Sequence, residues 1–322
     1  MTHNTNSGLG VAKISGADAA QFLQGQLTSD VRQLNNSWQY TGLCTPKGRL
    51  VFSGILYHCA NEGSDNTEGD YYLVLNADLF AAVIKRLSMY VLRSKVDISP
   101  YPAVFELHAT DSSEKVTANE NRTVAQHSAP PETEQRLNFG DRALAIRYAG
   151  EQSSRAQATN FYNEWNEHLL KYGAVFIGPE TSEAFVPQMI NLDLVGGVSF
   201  KKGCYTGQEI VARMHYLGKL KQRMFVLSAN STNNDGAASQ EPLAPGTKLF
   251  ANSKQQDEQD DIGFGSSVGT VVATNADATR LLAVLRVDQC QQAIIAADAP
   301  SIELSVVKEL PYEFPQSKSA EA

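Results

Sequence analysis

Cysteine is scarce and scattered. The 322-residue chain holds four, Cys44, Cys59, Cys204 and Cys290, and no C-x-x-C. That spacing excludes a disulfide framework and a zinc site built on cysteine pairs. No run of 18 apolar residues occurs, so no segment is expected to span a membrane. The first residues, MTHNTNSGLGVAKI, lack the basic and apolar regions of a secretory leader. These absences together predict a cytoplasmic protein with reduced thiols. Positive charge is not in surplus either. A net charge of −8 argues against general coating of nucleic acid, while leaving room for a local basic patch. The six histidines never pair at metal-ligand spacing, and G-x-S-x-G is missing, so neither a metal site nor a serine-hydrolase elbow is expected. No internal repeat is visible.

What remains is enough to fold. Hydrophobic residues make up 42% and charged residues 19%, a balance that supports real cores. The length predicts two or three domains. Polar, small-residue stretches punctuate the chain at Thr110–Gln135, Ala229–Gln240 and Ala251–Asp261, and the tail after Pro315 is similar. These read as long loops or linkers.

Between them the periodicities alternate. Strands are predicted at Leu9–Ile14, Gln39–Cys44, Leu50–His58, Tyr71–Leu75 and Leu144–Tyr148. The turn Thr45-Pro46-Lys47-Gly48 joins the second and third. Helical spacing puts Phe22, Leu23 and Leu27 on one face behind Asp18, and Leu79, Val83, Ile84 and Leu87 on another. A third amphipathic helix, Asn160–Tyr172, contains Trp165. From Met224 onward the runs MFVLS, TKLFA, GTVVAT, LLAVLRV and IELSVV alternate with Gly and Pro, which predicts an antiparallel barrel or sandwich. GFGSSVG, Gly263 to Gly269, has the wrong spacing for a phosphate loop and reads as a hairpin turn. The fold class is therefore α+β, with an all-β C-terminal region.

One stretch stands out chemically: FKKGCYTGQEIVARMHY, Phe200 to Tyr216. Thr206-Gly207-Gln208-Glu209 fits a capping box, with Thr206 as N-cap and Glu209 reaching back. Glu209 and Arg213 have the spacing of a helix ion pair. Cys204 would then lie near the positive end of a helix dipole, beside Lys201 and Lys202. Both effects favour a thiolate. Gly203 and Gly207 allow tight turning and close approach of a ligand. The opposing reading is an inert, buried small hydrophobe, and spacing alone leaves both open. Lys201, Lys202, Arg213, Lys219, Lys221 and Arg223 face a single acid, Glu209, in this segment. Such a patch suits a polyglutamate tail, a phosphate or RNA, or is simply a solvated basic face.

FKKGCYTGQEIVAR resembles the K-G-C-Y-x-G-Q-E signature of the YgfZ family, folate-binding relatives of the glycine-cleavage aminomethyltransferase. ISGADAAQFLQGQLTSDV, CTPKGRLVF and FVPQMINLDLVGGVSF are similar to other segments of that family. The resemblance implies three domains around a central channel. A discontinuous folate-binding domain would comprise 1–40 and 136–222, an inserted α+β domain 41–135, and a β-barrel 223–322. It implies tetrahydrofolate or a derivative as cofactor and support of iron–sulfur enzymes as function. Through those enzymes it implies an indirect effect on tRNA modification, methylthiolation in particular. Implied partners are iron–sulfur enzymes or their assembly machinery, with the chain itself a monomer.

The same resemblance assigns Cys204 as the reacting thiolate. It places Trp165, Leu9, Lys202, Gly203, Tyr205, Gln208 and Glu209 at the folate site, with Leu9 standing where some members carry a tryptophan. Where aminomethyltransferases carry an acidic segment, this chain has Phe52-Ser53-Gly54-Ile55-Leu56-Tyr57-His58. Without a carboxylate there, ordinary aminomethyl transfer is not expected. A transferase or demethylase reading would need an acid from elsewhere, such as Asp193. A third reading is a non-enzymatic RNA or protein adaptor working through the basic patch.

Overall fold

The computed structural model describes residues 8–35, 37–60, 69–110, 124–125, 134–139, 141–149, 158–231, 243–252, 266–296, 298–307 and 310–315. The chain opens with β1 (Leu9–Ser15), α1 (Ala19–Gln26), β2 (Trp38–Cys44), β3 (Leu50–Ala60), β4 (Gly69–Asn76), α2 (Ala77–Val91) and β5 (Asp97–Pro100). These strands form an antiparallel sheet in the order β2-β3-β4-β1-β5. Nearly every residue of β3 is buried. Such a strand is covered on both faces, which is why its sequence is almost continuously apolar. Asn76 caps α2 by accepting from the Asp78 amide at 2.9 Å, and Leu79, Phe80, Val83 and Leu87 turn inward.

A second antiparallel sheet contains β6 (Ala103–Ala109), β7 (Val124–Ala125), β8 (Glu134–Asn138) and β9 (Arg142–Tyr148), in the order β6-β9-β8-β7. Sequence reading missed β5 and β6. It placed β7 and the start of β8 inside a linker, most of which lies outside the described residues. β5 has only four residues, none of them buried, and β6 buries only Ala103 and Phe105, so neither shows a firm period. The helices α3 (Ala158–Lys171) and α4 (Gln208–Tyr216) follow, joined by a largely irregular segment.

The C-terminal strands are β10 (Gln222–Ser231), β11 (Lys248–Ala251), β12 (Gly269–Thr274), β13 (Arg280–Arg286), β14 (Ile294–Ala296) and β15 (Ala299–Val307). They close into an antiparallel barrel, β10-β13-β12-β11-β14-β15 and back to β10. The three-residue β14 was not foreseen. Ala229–Ser231 and Ala251, read as linker, finish β10 and β11; Asn252 follows β11, and the rest of both linkers lies outside the described residues. Gly263–Gly265 also lie outside them, while Ser266–Val268 lead into β12. The expected divisions at 40/41 and 135/136 fall inside β2 and β8, and that at 222/223 falls at the first residue of β10.

One wall of the barrel is buried twice. On β10 and β13, Phe225, Leu227, Leu281, Ala283 and Leu285 fill the barrel. The alternate residues Met224, Val226, Leu282 and Val284 join the core of the body. Period-two alternation with both faces apolar accounts for the runs MFVLS and LLAVLRV.

Arg223 pins this wall. Its guanidinium makes a two-pronged pair with Asp193 at 2.7 and 3.0 Å and also donates to the Gln188 carbonyl at 2.9 Å. Asn191, in the left-handed region at φ 57°, donates to the Met224 carbonyl and to the Tyr312 hydroxyl. The Asp193 side chain is 6% exposed. Removing it leaves a buried, unpaired guanidinium. Asp193→Ala should therefore cost about 3–5 kcal/mol, read as a lowered midpoint in urea unfolding. A loss under about 1 kcal/mol, the usual worth of a surface pair, would contradict this account.

Candidate functional site

Phe200–Gln208 is a turn whose side chains divide into anchors and one displayed group. Lys202 and Tyr205 are buried, whereas Lys201, Gly203 and Cys204 are exposed. The Lys202 Nζ donates to the carbonyls of Leu27 at 2.7 Å and Ser29 at 2.8 Å, and lies 5.1 Å from the centre of the Tyr205 ring. The residues on either side of the Gly203–Cys204 pair are thus fixed inward, and the thiol points out.

The capping box does not form. Gly207, not Thr206, occupies the N-cap of α4, at φ +83° and without a side-chain cap. The reason is steric. A Cβ on residue 207 would lie 2.4 Å from the Thr45 carbonyl oxygen and 3.1 Å from the Gly48 Cα. The Thr45–Gly48 turn therefore packs directly on the start of α4, where only glycine fits. The Thr206 amide donates instead to the Gly25 carbonyl at 3.3 Å, and Glu209 and Arg213 both face solvent. Gly203 differs from Gly207: an added Cβ there meets nothing within 4 Å.

The other three thiols are placed differently. Burial pushes Cys44 and Cys59 up to about 12 and also raises Cys290, whose Sγ donates to the Val287 carbonyl. Of the four, Cys204 alone is exposed.

The remaining predicted residues lie elsewhere. Leu9 is 1% exposed in β1, and Trp165 is 0% exposed in α3. Near-parallel rings of His168 and Phe161 lie 5.6 and 6.4 Å from Trp165, with Phe139 and Phe176 edge-on. The Trp165 Nε1 and His168 Nε2 are buried without a hydrogen-bond partner. Burial lowers His168 to about 4, so its ring is neutral at pH 7. Two cavities flank α3, of about 490 and 270 Å³. His168, the cations Arg142, Lys171 and Arg280 and the carboxylates Asp141, Glu164 and Glu167 line the larger, with Lys171 paired to Asp141 at 2.6 Å; neither Trp165 nor Cys204 lines either one. The motif of residues 202–209 and the Trp165 cluster are thus two places, not one. His168 was readable as the next residue on the face of Trp165. Arg280 sits on a barrel strand, and no local pattern marked it.

Two further expectations are settled by contacts. The Asp193 carboxylate is committed to Arg223, which also removes Arg223 from the basic patch. Lys202 leaves the patch as well, because its ammonium is buried. In β3, Ser53 accepts from the Ile177 amide and donates to the Val175 carbonyl, a structural role.

Burial lowers Lys202 to about 8 from its ordinary 10.5, with the Asp30 charge opposing the shift. Below pH 8 the lysine is charged in both states, and folding carries the full desolvation cost. Between 8 and 10.5 the unfolded chain holds the extra proton, so stability rises with pH. The neutral amine still has two hydrogens for its two carbonyls. The melting temperature of the wild type, relative to Lys202→Met, should climb across pH 8–10.5. A flat or falling difference would contradict the assignment.

No family model matches the chain. The tRNA-modifying protein YgfZ of Enterobacter sp. (strain 638) is 31% identical over 238 residues, 69% of this chain and 70% of that one. The proteins of the same name from Escherichia coli O157:H7 and Blochmanniella pennsylvanica are 29% and 26% identical over 239 and 235 residues. Among solved structures, glycine cleavage system aminomethyltransferase T from Bartonella henselae aligns with a TM-score of 0.64. That alignment covers 95% of this chain and 84% of that one at 15% identity, a likeness of fold alone. With the α+β body, the closed barrel and the displayed Cys204 in place, this degree of identity shows that the chain belongs to the YgfZ family.

Proposed function

We propose that this chain binds a tetrahydrofolate and, through Cys204, supports the assembly or repair of iron–sulfur enzymes, and thereby tRNA modification. The observation that carries the reading is the display of Cys204. Buried anchors at Lys202 and Tyr205 hold it out on a turn with open space at Gly203. A protein that needed only a small hydrophobe here would turn it inward. The relatives' name, tRNA-modifying protein, supports the process, and the likeness to an aminomethyltransferase fold supports the folate.

The larger cavity beside α3 suits the cofactor. Its volume of about 490 Å³ is within the range of small-molecule sites. Arg142 and Arg280 suit the carboxylates of a folate tail, while Lys171 is held by Asp141, and the neutral His168 ring, backed by Trp165, suits a pterin edge. Bound tetrahydrofolate supplies one-carbon chemistry; the chain supplies position and charge. A transferase reading loses Asp193 as its acid, because that carboxylate is held by Arg223; Asp141, Glu164 and Glu167 are the carboxylates that line the cavity.

Five variants test the parts separately. Cys204→Ser should fold with an unchanged melting temperature and fail to restore tRNA methylthiolation in a deletion strain; full restoration would remove the thiol from the function. Gly203→Ala should fold normally and lower activity, whereas Gly207→Ala should cost about 1–3 kcal/mol through its strained backbone. Arg142→Ala and Arg280→Ala should each weaken folate binding about ten-fold, as loss of a charged hydrogen bond does. Calorimetry is the suitable readout, because Trp38 and Trp165 both touch Phe139 and their fluorescence is not separable. Unchanged folate affinity in both variants would refute the cavity assignment.

A further inference from the structure

The exposed face of α4 carries more than the thiol before its start. Phe200, partly buried against the core, lies under His215 with ring centres 3.7 Å apart and planes within 15°. Tyr216 stands edge-on to both rings, at 6.2 and 4.8 Å. It is 65% exposed, and Leu217 beside it is 83% exposed. Along the same segment Arg213, Lys219 and Lys221 face solvent, as does Lys201 next to Phe200. The opposing carboxylates are Glu209, on the same helix, and Asp288, which is near Lys221 and paired with Arg286 at 2.9 Å. In a chain of net charge −8, this is a local cationic surface set with uncovered rings.

We propose that this face binds single-stranded nucleic acid, with bases stacking on His215 and Tyr216 and phosphates meeting Arg213, Lys219 and Lys221. A flexible strand offers a π-face at every base and a charge at every linkage, and stacked rings among cations match both. An acidic protein would use the cations but would leave the ring stack unexplained. RNA and DNA share this chemistry, so the source is a matter for measurement. Nine residues of helix span about 13 Å, so Tyr216 lies about that far along the axis from Gln208, where α4 begins, while Phe200 folds back to the stack. The inference is independent of the folate reading.

Fluorescence anisotropy with a labelled, unstructured 12-nucleotide RNA, beside DNA of the same sequence, tests it on the full chain. The wild type should bind, with affinity falling as salt rises. The triple variant Arg213→Ala, Lys219→Ala, Lys221→Ala should reduce the slope of log affinity against log salt by about 2. Tyr216→Ala should weaken binding by at least about five-fold, and Tyr216→Phe should retain it, since the phenyl face still stacks. Cys204→Ser should bind like the wild type, so failure of the thiol's role and failure of this surface are separable. Tighter RNA than DNA binding would identify RNA as the source, and equal binding would support any single strand. Absence of binding at low salt would overturn the proposal. So would an unaffected Tyr216→Ala together with equally tight binding of polyglutamate, which would make the face a docking surface for acidic polypeptide.

Discussion

The Arg223–Asp193 pair is the constraint on which the arrangement of the two cores rests. Buried charge is tolerated only where geometry and extra hydrogen bonds satisfy it. Here both prongs of the guanidinium are used, and a backbone carbonyl takes a further donor. The pair sits where the chain leaves α4 and enters β10, the barrel strand whose two faces serve two cores. Asn191 extends the same network to Met224 and Tyr312, and Tyr312 in turn donates to the Gly173 carbonyl after α3. Body, barrel and the residues after β15 are thereby joined through one buried polar node. Hydrophobic contact could hold these parts together at many angles, whereas directional bonds select one.

The same logic governs the turn that displays Cys204. Its conspicuous sequence, two lysines, two glycines and a tyrosine around a cysteine, suggests a reactive constellation in which every member touches chemistry. The geometry divides the labour instead. Lys202 is a strut to Leu27 and Ser29, Tyr205 lies under it, and Gly207 is a close approach to the Thr45–Gly48 turn. Residues that read as electrostatic activators are structural, and the group they serve is presented rather than surrounded.

Much of the fold was legible because it obeys simple periods. The barrel runs, the β2–β3 hairpin and the faces of α1, α2 and α3 follow from alternation, turn residues and helical spacing. β5, β6, β7 and β14 were not legible, because short or half-exposed strands show too few residues to display a period. The Thr206 cap failed for a different reason. Local pattern cannot see that a turn more than 150 residues earlier packs against Gly207 and forces positive φ. In the candidate site, Cys204 was found by its neighbours, but the burial of Lys202, Arg223 and Asp193 was not, since partners that neutralise a charge come from distant segments.

That last failure redraws the basic patch. Six cations counted along Lys201–Arg223 become four at the surface once Lys202 and Arg223 are buried. The four that remain are joined by something a charge count cannot register, the stack of Phe200, His215 and Tyr216. Charge alone attracts any anion and is screened by salt. Rings alone would be an apolar liability at the surface. Together they fit the proposed partner, which carries both flat faces and negative linkages. The cavity beside α3 poses the contrasting case, a partly open volume lined by neutral His168 and by charges of both signs. The concave site by α3 and the convex face along α4 are thus separate surfaces of the fold, one suited to the proposed cofactor and the other to the proposed strand. The buried Arg223 node lies between these surfaces: Gln188, whose carbonyl accepts from Arg223, donates through its side chain to the Val211 carbonyl within α4.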